Sequence, residues 1–213
     1  KTIRLIDTAG LRKRTKVTDE IEFYSVVRTN KVIVDCNVAA LMIDADKGFD
    51  KQDKGIIRAV IKLGKGLIIV VNKWDLIEKD DGTMKEMIDD IHDKYSSTKH
   101  YPILFISVKN NLRLLSLLDY TVKVHDRLTS KVRTPLLNEI MQKITNKNPP
   151  PAVKGKHLKI KYSAQTRHSP PIFAIFMNYP DLVPISYKRY IENQLRKELD
   201  LRGVPIKISF RKK

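Results

Sequence analysis

The chain has a single cysteine, Cys36, so no internal disulfide can form; lying in a mostly apolar stretch, it is expected as a small buried hydrophobe in an intracellular, cytoplasmic protein. No apolar run approaches the roughly 20 residues that a membrane-spanning helix requires, and none is expected. Acidic residues are scarce beside basic ones: 24 Asp+Glu stand against 41 Lys+Arg, a formal net charge of +17. That excess exceeds what solubility needs and points to a polyanionic partner, nucleic acid or an anionic membrane surface. A basic signal-peptide start is also absent. The chain opens on Lys1, and Thr2-Ile3-Arg4-Leu5-Ile6 reads as a strand, so it is expected to begin within a longer protein.

The charge is unevenly spread. Residues 1–130 carry 23 Lys+Arg against 19 Asp+Glu, whereas residues 131–213 carry 18 against 5, a net +13. Near the change lies Asn146-Lys147-Asn148-Pro149-Pro150-Pro151, which neither a helix interior nor a central strand tolerates, and a linker is expected there. The division implied is a first domain over 1–130 and a basic one over 131–213.

In the first part, short apolar runs at Ile3–Ile6, Val38–Ile43, Leu67–Val71 and Ile103–Ile106 alternate with segments of helical spacing near Thr18–Thr29, Lys51–Leu63, Thr83–Tyr95 and Leu114–Leu128. Strands this apolar are buried on both faces, so the class is α/β, a parallel sheet with helices on both sides, whose ligands bind at the carboxyl ends of the strands. After Pro135 the order becomes helix (Leu136–Thr145), strands (His157–Ser163, Ile172–Asn178), helix (Ile185–Leu199) and strand (Val204–Phe210), a small α+β unit, with Arg211-Lys212-Lys213 as a frayed basic tail.

Two short motifs fall at strand ends. Asp7-Thr8-Ala9-Gly10 follows the first run and Asn72-Lys73-Trp74-Asp75 the third, at the same edge of the sheet. In order and placement they match the DxxG and NKxD motifs and resemble those of the small GTPase superfamily, which has a P-loop-NTPase-type sheet. The resemblance implies GTP and GDP as ligands, with Asp7 holding Mg²⁺ through a water and the Gly10 N–H meeting the γ-phosphate. It implies that Asp75 accepts from the guanine N1–H and exocyclic amine, that Asn72 braces the loop, that the Lys73 stem lies over the base, and that Trp74 packs the loop. After the fourth run, Ser107-Val108-Lys109-Asn110-Asn111 stands where such proteins read SAK followed by glycine, and the Val108 N–H is expected to reach the guanine O6.

Asp7 to Arg14, Glu22-Phe23-Tyr24-Ser25, Asn72 to Leu76 and Ser186 to Arg196 together resemble the bacterial tandem-GTPase family EngA, also called Der. That resemblance spans nearly the whole chain and implies a second GTPase domain without its beginning, followed by a KH-like domain, in a protein acting in large-ribosomal-subunit assembly through ribosomal RNA; separately, a monomer is expected. Leu11 stands where signalling GTPases place a water-orienting glutamine, so intrinsic hydrolysis is expected to be slow. The family resembles potassium-stimulated GTPases, whose K⁺ ligands would lie upstream of this chain.

There is no GxxxxGK[ST] and no upstream switch threonine, so this chain by itself is expected not to hydrolyse GTP, and no catalytic residue is assigned in it. The alternative is a non-enzymatic RNA-binding scaffold with a degenerate GTPase-like domain. KH domains usually grip the RNA backbone through a GxxG loop. None occurs here, so RNA contact is expected to rest on Lys159, Lys161, Arg167, Lys188, Arg189 and Arg196, with Tyr179 beside them, and to be salt-sensitive and sequence-independent.

Overall fold

The computed structural model of the chain describes residues 2–6, 32–78 and 80–213. These fall into two compact units, Lys1–His125 and Asp126–Lys213.

The first unit is built on a three-stranded sheet in the order β1-β2-β3, all parallel: β1 Val38–Asp44, β2 Gly66–Asn72 and β3 Ile103–Phe105. In the centre, β2 reads GLIIVVN and is buried along all but its last residue, as a strand covered on both faces must be. Leu67, Ile69 and Val71 pack with Ile57 and Val60 of helix α1 (Lys51–Lys62) and Ile91 of α2 (Thr83–Lys94). On the opposite face Gly66 lies against Val124 of α3 (Leu114–Thr129). Helix α1 starts in a capping box: the Asp50 side chain accepts from the N–H groups of Gln52 and Asp53, and the Asp53 carboxylate accepts from the Asp50 N–H.

The parallel register pairs Asp44 directly with Asn72, and Val71 with Phe105. All three strands therefore end at one edge. Residues 2–6, expected as a strand, form none, and Leu5 is 89% exposed. A lone apolar segment gains nothing from extending unless a neighbour satisfies its backbone, and among the described residues none pairs with it.

In the second unit, helix α4 (Thr134–Lys147) takes Pro135 in its first turn, where the missing N–H costs nothing. Its face of Leu137, Ile140, Met141 and Ile144 packs with Tyr187, Ile191 and Leu195 of α5 (Ile185–Glu198) on a sheet ordered β6-β7-β8. Here β6 is Ile160–Arg167, β7 Ile172–Met177 and β8 Lys207–Lys212; β6 and β7 are antiparallel, β7 and β8 parallel. A two-stranded hairpin, β4 Ala152–Val153 and β5 Lys156–His157, precedes the sheet.

Four further expectations change. The proline segment does not link two units; it lies inside the second, between α4 and β4, because α4 belongs to that unit's core. The strand expected over His157–Ser163 is split, with buried Leu158 turned into the core between β5 and β6. The basic end is not frayed: β8 runs to Lys212, and the Lys213 N–H donates to the Met177 carbonyl at 3.3 Å. Cys36 is half-buried rather than buried; its thiol donates to the Ile33 carbonyl at 3.4 Å and burial pushes its pKa up.

Candidate functional site

The sheet edge brings Asp44, Asn72 and the segment after β3 together. Beyond Asn72 the chain turns sharply, with Lys73 in the left-handed region at φ 61°, and then enters a single 3₁₀ turn, Trp74–Leu76. Trp74 holds the turn down: it is 4% exposed, its ring centre lies 4.5 Å from that of Phe105, and its backbone N–H donates to the Ile106 carbonyl at 3.1 Å. Two functional residues, the half-buried Asp75 and Lys73, are thereby left lining the pocket at this edge.

The Lys73 ammonium is tied down in turn, donating to Asp44 Oδ2 at 3.1 Å. The same carboxylate oxygen lies 3.4 Å from the Lys47 ammonium. Partial burial works against the Asp44 charge, but hydrogen bonding and attraction from Lys73 and then Lys47 outweigh it and hold the carboxyl below its ordinary range.

Asn72 spans to the neighbouring loop, its Oδ1 accepting from the Val108 N–H at 3.1 Å. Val108 was expected to present that N–H to a base; in this structure the N–H is engaged by Asn72. Ser107 is fully buried, and its Oγ accepts from the Asn110 N–H at 3.1 Å. The loop closes through hydrogen bonds in both directions between the backbones of Ser107 and Leu112, at 2.9 and 3.3 Å. It needs no glycine because Asn111, at φ 55°, takes the left-handed position that asparagine tolerates.

These elements surround an open pocket of about 350 Å³ lined by Asn72, Lys73, Asp75, Leu76 and Lys109. Its volume suits a flat heterocycle, and an acceptor carboxylate beside an alkyl stem is what a ring with adjacent N–H donors needs. Asp44 escaped the motif reading, whereas Leu76 and Lys109 lay within the quoted motifs without being given a role. Asp44 could have been found as the polar residue that ends the apolar run Val38–Ile43.

Asp7, Thr8, Ala9, Gly10 and Leu11 lie outside the described residues. No group of three or more His, Cys, Asp or Glu able to hold a metal ion occurs among the described residues. No helix among them is long and apolar enough to cross a membrane.

In the second unit the basic residues do not form one patch. Lys159 and Lys161 are exposed at one end of β6 and Arg167 at the other, about 20 Å away at a strand's rise per residue. Arg189 is exposed, and the Lys188 ammonium lies 5.5 Å from the Phe210 ring centre. Arg196 was expected to face phosphate but turns inward. Its guanidinium pairs with Glu192 at 3.0 Å and donates to the Val204 carbonyl at 2.8 Å, leaving the side chain 10% exposed. It clasps the end of α5 to the segment before β8.

Comparison with known proteins divides the chain in a similar way. The model described as "Elongation factor Tu GTP binding domain" matches residues 1–127, and the model described as "KH-domain-like of EngA bacterial GTPase enzymes, C-terminal" matches residues 131–211. A protein named "GTPase Der" from Chlorobium phaeobacteroides is 45% identical over 213 residues, 100% of this chain and 49% of the relative. One of the same name from Amoebophilus asiaticus is 44% identical, with the same coverage. The chain thus spans about half the length of the curated relatives it matches. Among solved structures, Era in complex with MgGDPNP and nucleotides of 16S ribosomal RNA is 22% identical, with 97% of this chain and 74% of that chain covered and a TM-score of 0.46.

Proposed function

Since the chain belongs to the EngA, or Der, family of bacterial GTPases, we propose that it supplies the guanine-reading half of a GTP-hydrolysing switch together with the RNA-contacting domain of a ribosome-assembly protein. The observation that carries this is the pocket at the sheet edge, where Asn72, Lys73 and Asp75 converge. Asp75 accepts from the guanine N1–H and exocyclic amine, a pairing that adenine, with one donor and one acceptor on that edge, cannot return. The Lys73 stem, held by Asp44, forms a shelf under the ring.

The phosphate end of the nucleotide belongs to residues around Asp7 to Leu11 and to groups that this chain does not carry, since it contains no GxxxxGK[ST]. Mg²⁺ is the expected ion there, which Asp7 would hold through a water and which would supply charge neutralisation for the phosphates; a K⁺ requirement would belong to the same end of the nucleotide. By itself the chain therefore recognises the base without hydrolysing GTP, and hydrolysis is a property of the complete, monomeric, cytoplasmic protein. The net charge of +13 over residues 131–213 supports ribosomal RNA and the large ribosomal subunit as partners.

The test is equilibrium binding of fluorescent GDP to the full-length protein, with fluorescent ADP as control and unlabelled GTP as competitor. Selective, GTP-competed binding is expected, and Asp75→Asn is expected to shift preference towards xanthine nucleotides. Unchanged preference in that variant overturns the role of Asp75, and no nucleotide binding at full length favours an RNA-binding scaffold.

A further inference from the structure

The proline segment forms part of an open pocket of about 400 Å³ in the second unit, lined by Thr145 and Asn146 of α4, Pro149 and Pro150 beyond its end, and Leu158 and Lys159 between β5 and β6. Beside it stands Tyr179, 40% exposed, with the Lys156 ammonium 4.8 Å from its ring centre. One side chain holds ring and pocket in register. The Asn178 Oδ1 accepts from the Lys159 N–H at 2.9 Å and from the Tyr179 N–H at 3.0 Å, while its Nδ2 donates to the His157 carbonyl at 2.8 Å.

The hairpin supplies the charge. Lys154 and Gly155 both have positive φ, 51° and 70°, as the two central residues of a tight type I′ turn require. This turn leaves Lys154, Lys156 and His157 exposed, Lys156 over the Tyr179 ring, with exposed Lys159 following.

We propose that Tyr179 and this pocket form a stacking site for an unpaired base of single-stranded RNA, whose flanking phosphates lie on Lys154, Lys156 and Lys159. An exposed aromatic face accepts any base, and an ammonium over the ring adds attraction without imposing sequence. The pocket offers the Asn146 amide and, as an acceptor, the Thr145 hydroxyl, whose proton goes to the Gln142 carbonyl at 3.1 Å; these can meet a neighbouring base edge or a ribose 2′-OH. A duplex keeps its base faces stacked inside and cannot use such a ring. The site needs no GxxG loop, which the chain lacks. The inference rests on the RNA-binding reading above and names the surface that serves it.

The experiment is fluorescence anisotropy of the full-length protein with a labelled 12-mer of oligouridine RNA and, as control, a blunt RNA duplex of equal length. Tyr179→Ala is expected to weaken single-strand binding about tenfold and duplex binding little, with Tyr179→Phe near wild type. Lys156→Gln is expected to lower the slope of log affinity against log salt by about one phosphate contact. Should the alanine variant fold poorly, the wild-type protein is irradiated with a 4-thiouridine oligomer, and adducts at Tyr179 or on the pocket residues support the site. Unchanged affinity in a folded Tyr179→Ala, or adducts only elsewhere, overturns the site while leaving RNA binding intact, including the case in which this surface serves a protein partner. A wild-type protein that binds neither RNA overturns the RNA-binding reading and the site together.

Discussion

Lys73 and Asp44, separated by 28 intervening residues, meet in an ion pair at 3.1 Å because the parallel register places the end of β1 beside the end of β2. The contact converts a flexible lysine into a fixed shelf at the edge of the base pocket. It links the stability of that edge to the charge on one carboxylate.

The Asp44 carboxyl is held below its ordinary range, so its folded value lies below its unfolded value. A group of that kind adds stability that is fully present above the unfolded value of about 3.9 and is lost as pH falls through the folded value. Asp44→Asn is therefore expected to reduce stability at neutral pH and to flatten its fall below about pH 4. Urea titrations at a series of pH values check this, and parallel curves for the two proteins would refute it. GDP affinity is expected to drop several-fold in the same variant.

Asn72 bridges β2 to the loop after β3 through the Val108 N–H. Asn72→Ala removes the acceptor and is expected to cost about 0.5–1.5 kcal/mol of stability, the net worth of one such bond. Hydrogen exchange should then speed up at the Val108 amide and in the Ser107–Leu112 loop while amides in β2 stay protected. Unaltered exchange at Val108 would show that the bridge does not hold the loop.

Gly66 is the first residue of β2, and a Cβ there would lie 2.7 Å from Val124 Cγ1 and 3.1 Å from Val38 Cγ2. Both neighbours are branched at Cβ and cannot swing aside as a long side chain would. Gly66→Ala is expected to destabilise the first unit by about 1–3 kcal/mol, the usual cost of overpacking. Thermal unfolding checks the loss, and RNA binding through Tyr179 should be untouched.

Much of this protein was legible in local sequence. The run Gly66 to Asn72 announces a strand buried on both faces because every side chain but the last is apolar, and a strand's side chains alternate between faces. The motif Asn72 to Asp75 follows at the strand's carboxyl end, where α/β sheets bind ligands, and the excess of basic residues beyond position 130 marks the second unit. Tertiary structure alone decided the rest. Asp44 joined the site through register, the Val108 N–H was taken by Asn72, Arg196 turned from the surface to the Val204 carbonyl, and the prolines expected as a linker became a pocket wall beside Tyr179. Periodicity and turn chemistry report what a residue does to its own few neighbours in the chain. The partner a polar side chain finds depends on which distant strand or helix packs beside it, and that is set only when the sheet pairs and the core closes.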